Sequence, residues 1–468
     1  MPRPRAAVQS AMRFLPLLLL LSCAPASTIS DRRPNIVVIL CDDLGYGDVG
    51  AYGHPAIRTP NLDRLAAEGW RFTAGYSAAP VCSPSRVGLL TGRTPSRYGV
   101  YDWISSGSPV HMNRDAATLP KILKRAGYDT ALAGKWHCNG KFNSPEQPQP
   151  DDHGFDHWFA TQNNAGPSHH NPRNFVRNGT PVGPLEGYSC QLVVDEALRW
   201  IRGRDDRPYF LYVAFHEPHE AVASPPELVA EYAGTARNAD EAQYFANVAN
   251  MDRAVGRLLE AVGDDAFVYF SSDNGPETLN RYKGGHRSYG TPGPLRGMKL
   301  WLYDGGIRVP TIVRWPGRRA PGRVVDTPVA SLDLLPTACA IAGVKPPEGL
   351  DGSSLLPLLD GRPLARSTPL YWHYYRAFEK PKAAMREGDW MILGHWDGPA
   401  LAPGGSVKPG DSALIKKHAL VGFELYNLRE DPGQQRDLAA TQPQVLERLS
   451  KALVAKYRDV ESEGPLWD

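Results

Sequence analysis

Long apolar runs alternate with amphipathic stretches over the first three quarters of the chain. Residues 35–40 (NIVVIL) form a continuous apolar run, which is typical of a parallel strand buried on both faces. Residues 61–68 and 118–126 have helical periodicity, and each is followed by a glycine that can end a helix. The same patterns predict strands at 130–133, 209–215 and 266–270, and helices at 191–201 and 239–262. Strands that alternate with helices in this way indicate an α/β fold with a mostly parallel sheet.

The pattern changes after residue 364. Short aromatic strands at 370–372, 390–393 and 424–426 precede one helical pattern at 442–457. They predict a small antiparallel sheet that is closed by a helix. We therefore expect a large α/β domain over residues 33–364 and an α+β subdomain over residues 365–468.

The first 26 residues have the pattern of an export leader. Three arginines precede the apolar run 14–21, which is too short to span a bilayer. The following LLSCA resembles a lipobox in which Cys23 is the lipidated residue, and cleavage after Ala26 is the alternative. We expect an exported bacterial protein, either periplasmic or held at the outer membrane by a lipid.

Composition excludes several classes of protein. The 468 residues include 52 Lys+Arg and 50 Asp+Glu, a net charge of +2 without a long basic run, which argues against nucleic acid as a partner. With 42% hydrophobic and 22% charged residues, the chain is neither disordered nor a coiled coil. Six cysteines are too few for a disulfide framework.

Polar side chains collect where the predicted strands end. The four apolar runs end in Asp42-Asp43, Lys135-Trp136-His137, His216-Glu217-Pro218-His219 and Ser272-Asp273-Asn274. Ligands of open α/β sheets bind at the carboxyl ends of the strands, so we expect these groups to meet at one edge. The three aspartates and the amide of Asn274 supply hard oxygen ligands, which suit Ca²⁺ or Mg²⁺ rather than Zn²⁺.

The segment 82–86 (CSPSR) is the most specific motif. Pro84 in a first helical turn would place Cys82 at a helix N-terminus, where backbone N–H groups favour an anion. Arg86 on the same turn is suited to bidentate binding of an oxyanion. Taken alone, this environment permits either a reactive thiolate or a buried, inert thiol.

Together with residues 90–93 (LTGR), this motif resembles the signature of type I sulfatases in the alkaline phosphatase-like superfamily. Further similar segments follow the family's order: 42–48 (DDLGYGD), 134–137 (GKWH), 218–219 (PH), 272–275 (SDNG), Lys299 before 303–306 (YDGG), 424–428 (ELYNL) and 431–433 (DPG). The resemblance implies a large mixed, mostly parallel sheet flanked by helices. It also implies that residues 33–364 are the catalytic domain.

The resemblance further implies roles for individual residues. In this family the signature cysteine, here Cys82, is oxidised to formylglycine (3-oxoalanine), whose hydrate is the nucleophile. The metal, Ca²⁺ more often than Mg²⁺, is assigned to Asp42, Asp43, Cys82, Asp273 and Asn274. Arg86 would stabilise the hydrate and His137 would hydrogen-bond it. Lys135, His219 and Lys299 would hold the sulfate oxygens.

Two assignments have alternatives. Either His216 or His219 could face the substrate; the Pro-His context favours His219, with His216 as a packing residue. A polar loop is a candidate for substrate contacts through Asn163, Asn164, His169 and His170. The alternative is an ordinary surface loop.

We therefore expect hydrolysis of a sulfate monoester through a covalent sulfo-enzyme. The substrate would be a sulfated carbohydrate, such as a sulfated galactan or a glycosaminoglycan fragment. A formylglycine-generating maturation enzyme would be a necessary partner. One alternative is a phosphonate or phosphate ester hydrolase of the same superfamily. Another is a non-catalytic protein that binds sulfated glycans and leaves Cys82 unmodified.

Overall fold

The structure is a computed structural model that describes residues 1–4, 33–278, 285–315, 322–399, 407–408 and 410–467. Arg33–Asp468 is one compact unit. Most of the expected leader, including Cys23, lies outside the described residues, so export and lipidation stay predictions.

The described residues form sixteen strands and eleven α-helices. The strands are β1 (Asn35–Asp42), β2 (Trp70–Phe72), β3 (Gly75–Tyr76), β4 (Asp129–Lys135), β5 (His157–Thr161), β6 (Val176–Arg177), β7 (Thr180–Pro181), β8 (Tyr209–Pro218), β9 (Ala266–Ser272), β10 (Thr311–Arg314), β11 (Arg323–Val325), β12 (Val329–Ala330), β13 (Leu370–His373), β14 (Pro381–Glu387), β15 (Trp390–Trp396) and β16 (Leu420–Asn427). The helices are α1 (Pro60–Glu68), α2 (Cys82–Thr91), α3 (Leu119–Arg125), α4 (Ser189–Arg202), α5 (Pro226–Tyr232), α6 (Ala239–Val262), α7 (Asp304–Ile307), α8 (Leu334–Ala342), α9 (Leu356–Leu359), α10 (Asp411–Lys417) and α11 (Pro443–Glu461).

The larger sheet has ten strands in the order β11-β2-β10-β9-β1-β8-β4-β5-β6-β7. Its central strands β9, β1, β8, β4 and β5 are parallel. Strand β10 is antiparallel to both β9 and β2, and β6 is antiparallel to β5. The predicted mixed, mostly parallel sheet is therefore confirmed.

Alternate residues of β1 enter two different cores, which explains why its sequence has no polar alternation. Ile36, Val38 and Leu40 belong to a core that includes side chains of α2, α3 and α8. Val37 and Ile39 belong to the opposite core, with side chains of α1, α4, α5 and α6. Helices thus cover both faces of the sheet and leave its carboxyl edge for the polar residues.

The second sheet is antiparallel, with the order β13-β14-β15-β16. Leu449, Leu453 and Tyr457 of α11 pack against Ile392 and Leu425 of this sheet. The predicted small C-terminal antiparallel sheet with a helix is confirmed, while the domain boundary at residues 364 and 365 stays a prediction. In the described part of the chain, no helix is both long and apolar enough to cross a membrane.

The register of the central strands brings their carboxyl ends together. Asp42 of β1 is level with Pro218 of β8, and Cys41 is level with Ser272 of β9. Beyond β4, the amide of Trp136 donates to the Thr161 carbonyl at 3.0 Å, which continues the pairing with β5. The polar residues that follow β1, β4, β8 and β9 therefore share one edge of the sheet.

Gly134 lies so close to β8 that no side chain fits. Its φ is +113°, and a Cβ there would lie 1.8 Å from the carbonyl oxygen of Ala214. We expect Gly134→Ala to lower the free energy of unfolding by more than about 3 kcal/mol or to prevent folding, because the backbone of β8 must move. Urea denaturation measures the loss.

Gly53 is the matched control for that substitution. Its φ is +98°, but a Cβ would meet nothing within 4 Å. Gly53→Ala should therefore cost only the left-handed strain of about 1–2 kcal/mol. Equal losses in the two variants would contradict the packing explanation for Gly134.

Candidate active site

Three buried carboxylates lie at the carboxyl ends of β1 and β9. Asp42, Asp43 and Asp273 are each at most 2% exposed. Adjacent residues of a regular strand point to opposite faces, but Asp43 has a φ of +64° and leaves the strand geometry. Its amide donates to Asp273 Oδ1 at 3.2 Å. The turn at Asp43 thereby brings the side chains of the two strand ends into one cluster.

Three buried cations bind these carboxylates. Lys135 Nζ donates to Asp42 Oδ2 at 2.5 Å, and Lys299 Nζ donates to Asp43 Oδ2 at 2.7 Å. Arg86 donates to Asp273 Oδ2 from Nε at 3.0 Å and from Nη2 at 2.7 Å. Because an unpaired buried charge is costly, this pairing is what allows so many charges in the interior.

Burial and the surrounding charges together shift the pKa values of Asp42 and Asp273 in opposite directions. Burial would raise the pKa of Asp42, but Lys135 and the other cations outweigh burial and hold that pKa well below its usual range. Burial and the charge of Asp42 raise the pKa of Asp273 to about 6, although Arg86 opposes the shift. Negative charge is therefore crowded at Asp273, which favours the binding of a further cation.

Cys82 is the first residue of α2, as its motif predicts, and it is buried. Its Sγ lies 3.4 Å from Asp42 Oδ1. Burial, and then the charge of Asp42, raises the pKa of the Cys82 thiol well above its usual value. Of the two states that the sequence permits, the protein's own groups therefore favour a neutral thiol over a thiolate.

His137 follows β4 and lies against a loop that the sequence did not point to. Its Nε2 is 3.0 Å from the carbonyl oxygen of Ile104, and because a carbonyl only accepts, Nε2 donates. Burial, and then Lys135 and Arg86, lowers the pKa of His137 well below its usual value. The ring is therefore neutral with Nδ1 as an acceptor, and Nδ1 is buried with no partner among the described residues.

The loop at Ile104 is itself held by α2. The amide of Ile104 donates to Ser83 Oγ at 3.0 Å, and Gln162 Nε2 donates to the Ile104 carbonyl at 3.1 Å. Sequence reasoning missed this support, because a backbone carbonyl in a loop has no sequence signature. Ser83 was visible only as the second residue of the CSPSR motif.

The structure separates the two candidate histidines at the carboxyl end of β8. His219 Nε2 lies 3.7 Å from Asp43 Oδ2, while its Nδ1 donates to the Glu220 carbonyl at 2.8 Å. His216 Nε2 instead lies 2.8 Å from Thr161 Oγ1. His219 is therefore the histidine beside the carboxylate cluster.

The four residues of the predicted substrate loop have different environments. Asn163 and Asn164 follow β5 and are half-buried, and each Oδ1 is buried without a hydrogen-bond donor among the described residues. His169 is fully buried and accepts from Asn247 Nδ2 at 3.1 Å, whereas His170 is exposed. Within the described residues, neither histidine has a hydrogen bond or ion pair with the carboxylate cluster.

The cluster offers ligands for a divalent cation. Atoms of Asp42, Asp43, Cys82 and His219 lie within 4.8 Å of one another. Asn274 Nδ2 donates to Asp43 Oδ1 at 2.7 Å, and Asn274 Oδ1 is buried without a partner in the described part of the chain. Several carboxylate oxygens with one amide oxygen fit a hard cation such as Ca²⁺ or Mg²⁺. His219 is a neighbour of this site that sequence reasoning had placed only on the substrate side.

Comparison with known proteins agrees with this geometry. Residues 34–344 match the family described as Sulfatase, and residues 298–391 match N-sulphoglucosamine sulphohydrolase, C-terminal. Human N-acetylgalactosamine-6-sulfatase is 34% identical over 460 residues, which cover 90% of this chain and 84% of that protein. Human arylsulfatase A is 34% identical over 493 residues, which cover 94% of this chain and 91% of that protein.

A solved structure is similar over nearly the same length. Ps i-CgsB in complex with k-i-k-neocarrahexaose has a TM-score of 0.78 and 27% identity, and the match covers 93% of this chain and 95% of that one. The fold is thus the alkaline phosphatase-like fold of sulfatases. Since the family match spans residues 34–344 and includes the buried charge cluster, the chain belongs to the sulfatase family and is a type I sulfatase.

Proposed function

We propose that this sulfatase hydrolyses a sulfate ester of a carbohydrate, using formylglycine made from Cys82 as the nucleophile. The observation that supports the proposal best is the position of Cys82 at the first residue of α2, 3.4 Å from the cluster of buried carboxylates and cations. The neutral thiol favoured there is a weak nucleophile, so conversion of the side chain explains the chemistry better than a thiolate does. A maturation enzyme in the host would perform the conversion.

Two groups supply chemistry that the encoded side chains lack. The hydrate of formylglycine at position 82 would supply a nucleophilic oxygen for the sulfur and a second hydroxyl for the release of sulfate. A divalent cation, Ca²⁺ in our proposal, would withdraw charge from the sulfate oxygens. The residues that would hold it are Asp42, Asp43, Asp273, Asn274 and the modified side chain at position 82.

The protein's cations stabilise the negative charge of the sulfate. Lys135 and Lys299 each have their Nζ at a carboxylate of the cluster, and both side chains are buried. Arg86 is fixed by its two hydrogen bonds to Asp273 and by a third, from Nη1 to the Lys135 carbonyl at 3.1 Å. Charges that are fixed before the reaction stabilise the transition state without reorganisation.

Two histidines have suitable positions beside the proposed nucleophile and the sulfate. His137 Nδ1 is an unpartnered acceptor, so it is suited to accept a hydrogen bond from a hydroxyl of the hydrate. His219 donates from Nδ1 to the Glu220 carbonyl, which directs Nε2 to the side of Asp43. We assign His219 to the sulfate and, with a proton on Nε2 as well as on Nδ1, to the donation of that Nε2 proton to the leaving alcohol.

Carbohydrate as the substrate class rests on three observations. The curated relatives include N-acetylgalactosamine-6-sulfatase, and a structurally similar protein holds k-i-k-neocarrahexaose. The unpartnered amide oxygens of Asn163 and Asn164 are acceptors for sugar hydroxyl groups. We propose a sulfated galactan or a glycosaminoglycan fragment, which an enzyme exported by a leader at residues 1–26 would meet outside the cytoplasm.

We expect Cys82→Ala to abolish turnover of p-nitrocatechol sulfate while leaving the Tm close to that of the wild type. Cys82→Ser should be severely impaired and should accumulate a sulfated protein, because serine lacks the second hydroxyl. Initial rates and the intact protein mass measure both effects. Cys339→Ala, which removes another buried thiol, is the control and should remain active. Substantial activity of Cys82→Ala would contradict the mechanism.

The wild type also distinguishes the alternative function. If it hydrolyses the matched aryl phosphate faster than the aryl sulfate, a phosphate ester hydrolase is favoured.

We expect chelation by EGTA to remove activity and to lower the Tm, because the bound ion reduces the repulsion between Asp42 and Asp273. Enzyme assays and thermal unfolding follow the two effects, and Ca²⁺ should restore both better than Mg²⁺. A fully demetallated protein that kept its activity and its Tm would show that the metal assignment is wrong.

We expect His219→Ala and Lys299→Ala each to lower kcat/KM for a sulfate ester by roughly 10²-fold, the scale of losing one charge-stabilising group. His216→Ala should have a clearly smaller effect, because His216 binds Thr161 instead of facing Asp43. Steady-state kinetics on one aryl sulfate compares the three variants. If His216→Ala is the inactive variant and His219→Ala is nearly normal, the two assignments must be exchanged.

A further inference from the structure

A cavity of about 690 Å³ is lined by residues that flank Lys299 in the chain. Met298 and Trp301 line it, and between them in the chain is Lys299, whose Nζ is 2.7 Å from Asp43 Oδ2. Two residues of chain span at most about 7 Å, so the Cα of Trp301 is within that distance of the Cα of Lys299. The cavity and the sulfate site are therefore within reach of neighbouring units of one oligosaccharide.

Three aromatic residues and a histidine are among the residues that line the cavity. Phe245, Tyr289 and Trp301 line it, and the ring of His54 packs edge-on against Phe245 with centroids 5.1 Å apart. Rigid aromatic faces bind flat, partly apolar surfaces at a low entropic cost, and a sugar ring presents such a surface. The volume is within the range of small-molecule sites, about 300–1,000 Å³.

The cavity also contains hydrogen-bond donors of fixed orientation. His54 Nδ1 accepts from two backbone amides at 3.0 and 2.7 Å, so the proton of the neutral ring is on Nε2. Burial lowers the pKa of His54 to about 4, which keeps the ring neutral at neutral pH. Tyr289 Oη accepts from Asn238 Nδ2 at 3.0 Å, which leaves its own hydrogen to donate.

The charges of the cavity cancel. Arg237 and Glu241 both line it, and Arg237 Nη2 lies 2.7 Å from Glu241 Oε1. Near Cys82 the three cations also pair with three carboxylates, and the divalent cation of our proposal would give that site the net positive charge that a sulfate needs. A second sulfate group is therefore a poor occupant of this cavity, whereas hydroxyl groups suit its donors.

We propose that the cavity lined by His54, Phe245, Tyr289, Met298 and Trp301 binds an unsulfated sugar residue of the substrate. That sugar would neighbour the sulfated residue, so the enzyme would prefer oligosaccharides over single sulfated units. The proposal rests on the proposed function, since the same molecule must place its sulfate ester at position 82. Trp301 and Tyr289 would determine specificity without touching the reacting atoms.

The test compares kcat/KM for two probes in each variant. One probe is p-nitrocatechol sulfate. The other is a hexasaccharide, either of κ-carrageenan or of chondroitin 6-sulfate, chosen as the one that the wild type hydrolyses faster. The ratio of hexasaccharide to aryl sulfate should fall roughly tenfold in Trp301→Ala, the scale of losing one aromatic contact. Tyr289→Ala and His54→Gln should lower the same ratio, and they serve if Trp301→Ala does not fold. Trp390→Ala, on β15, is the control and should not change the ratio.

The outcomes distinguish the cavity from the function itself. An unchanged ratio in the folded variants would overturn the cavity assignment, and so would a wild type that does not prefer either hexasaccharide to the aryl sulfate. Equal losses on both probes would mean that Trp301 supports the active site only, which also overturns the assignment. A wild type that hydrolyses no sulfate ester would instead contradict the proposed function.

Discussion

Burial of three carboxylates at one edge of a parallel sheet is the constraint on which the rest of the site depends. Asp42, Asp43 and Asp273 could not remain charged there without partners, because the interior solvates ions poorly. Their partners come from three separate places: Arg86 from α2, Lys135 from the end of β4, and Lys299 from the chain before α7. The charge pairing thus joins distant parts of the sequence at the point where the chemistry occurs.

Several buried polar atoms of the site and of the loop after β5 are incompletely satisfied. His137 Nδ1, Asn274 Oδ1, Asn163 Oδ1 and Asn164 Oδ1 are all buried and lack partners among the described residues. Buried polar atoms are normally hydrogen-bonded, so each such atom near a charged cluster calls for a ligand, an ion or water. In our account the ion binds the amide oxygen of Asn274, and the hydroxyl of the nucleophile donates a hydrogen bond to His137 Nδ1. Sugar hydroxyl groups donate to the Oδ1 atoms of Asn163 and Asn164.

Part of this arrangement could be predicted from the sequence. The strands β1, β8 and β9 are continuous apolar runs, so their positions and the meeting of their ends were predictable. The short strands β2, β10 and β11 were not, because three or four residues carry no distinct periodicity. Among them, β10 runs antiparallel to both β9 and β2, a reversal that the strand pattern alone did not indicate.

The site was predictable in residue type but not in side-chain direction. The strand-end aspartates and the CSPSR motif indicated which groups meet, yet the left-handed turn at Asp43 that unites them is visible only in the backbone. His169 and His170 are neighbours in sequence, but one is buried and the other is exposed. The carbonyl of Ile104 and the aromatic cavity at Trp301 depend on tertiary contacts, and no spacing of residues marks them.

The central claim is that the residue encoded as Cys82 acts as an aldehyde hydrate inside the charge cluster. Mass spectrometry of the peptide containing Cys82, taken from enzyme batches of different specific activity, tests it most directly. The account predicts the aldehyde or its hydrate at position 82, in a fraction of molecules that rises in proportion to the turnover per molecule. Full activity in a batch whose peptide carries only the unmodified thiol would contradict it.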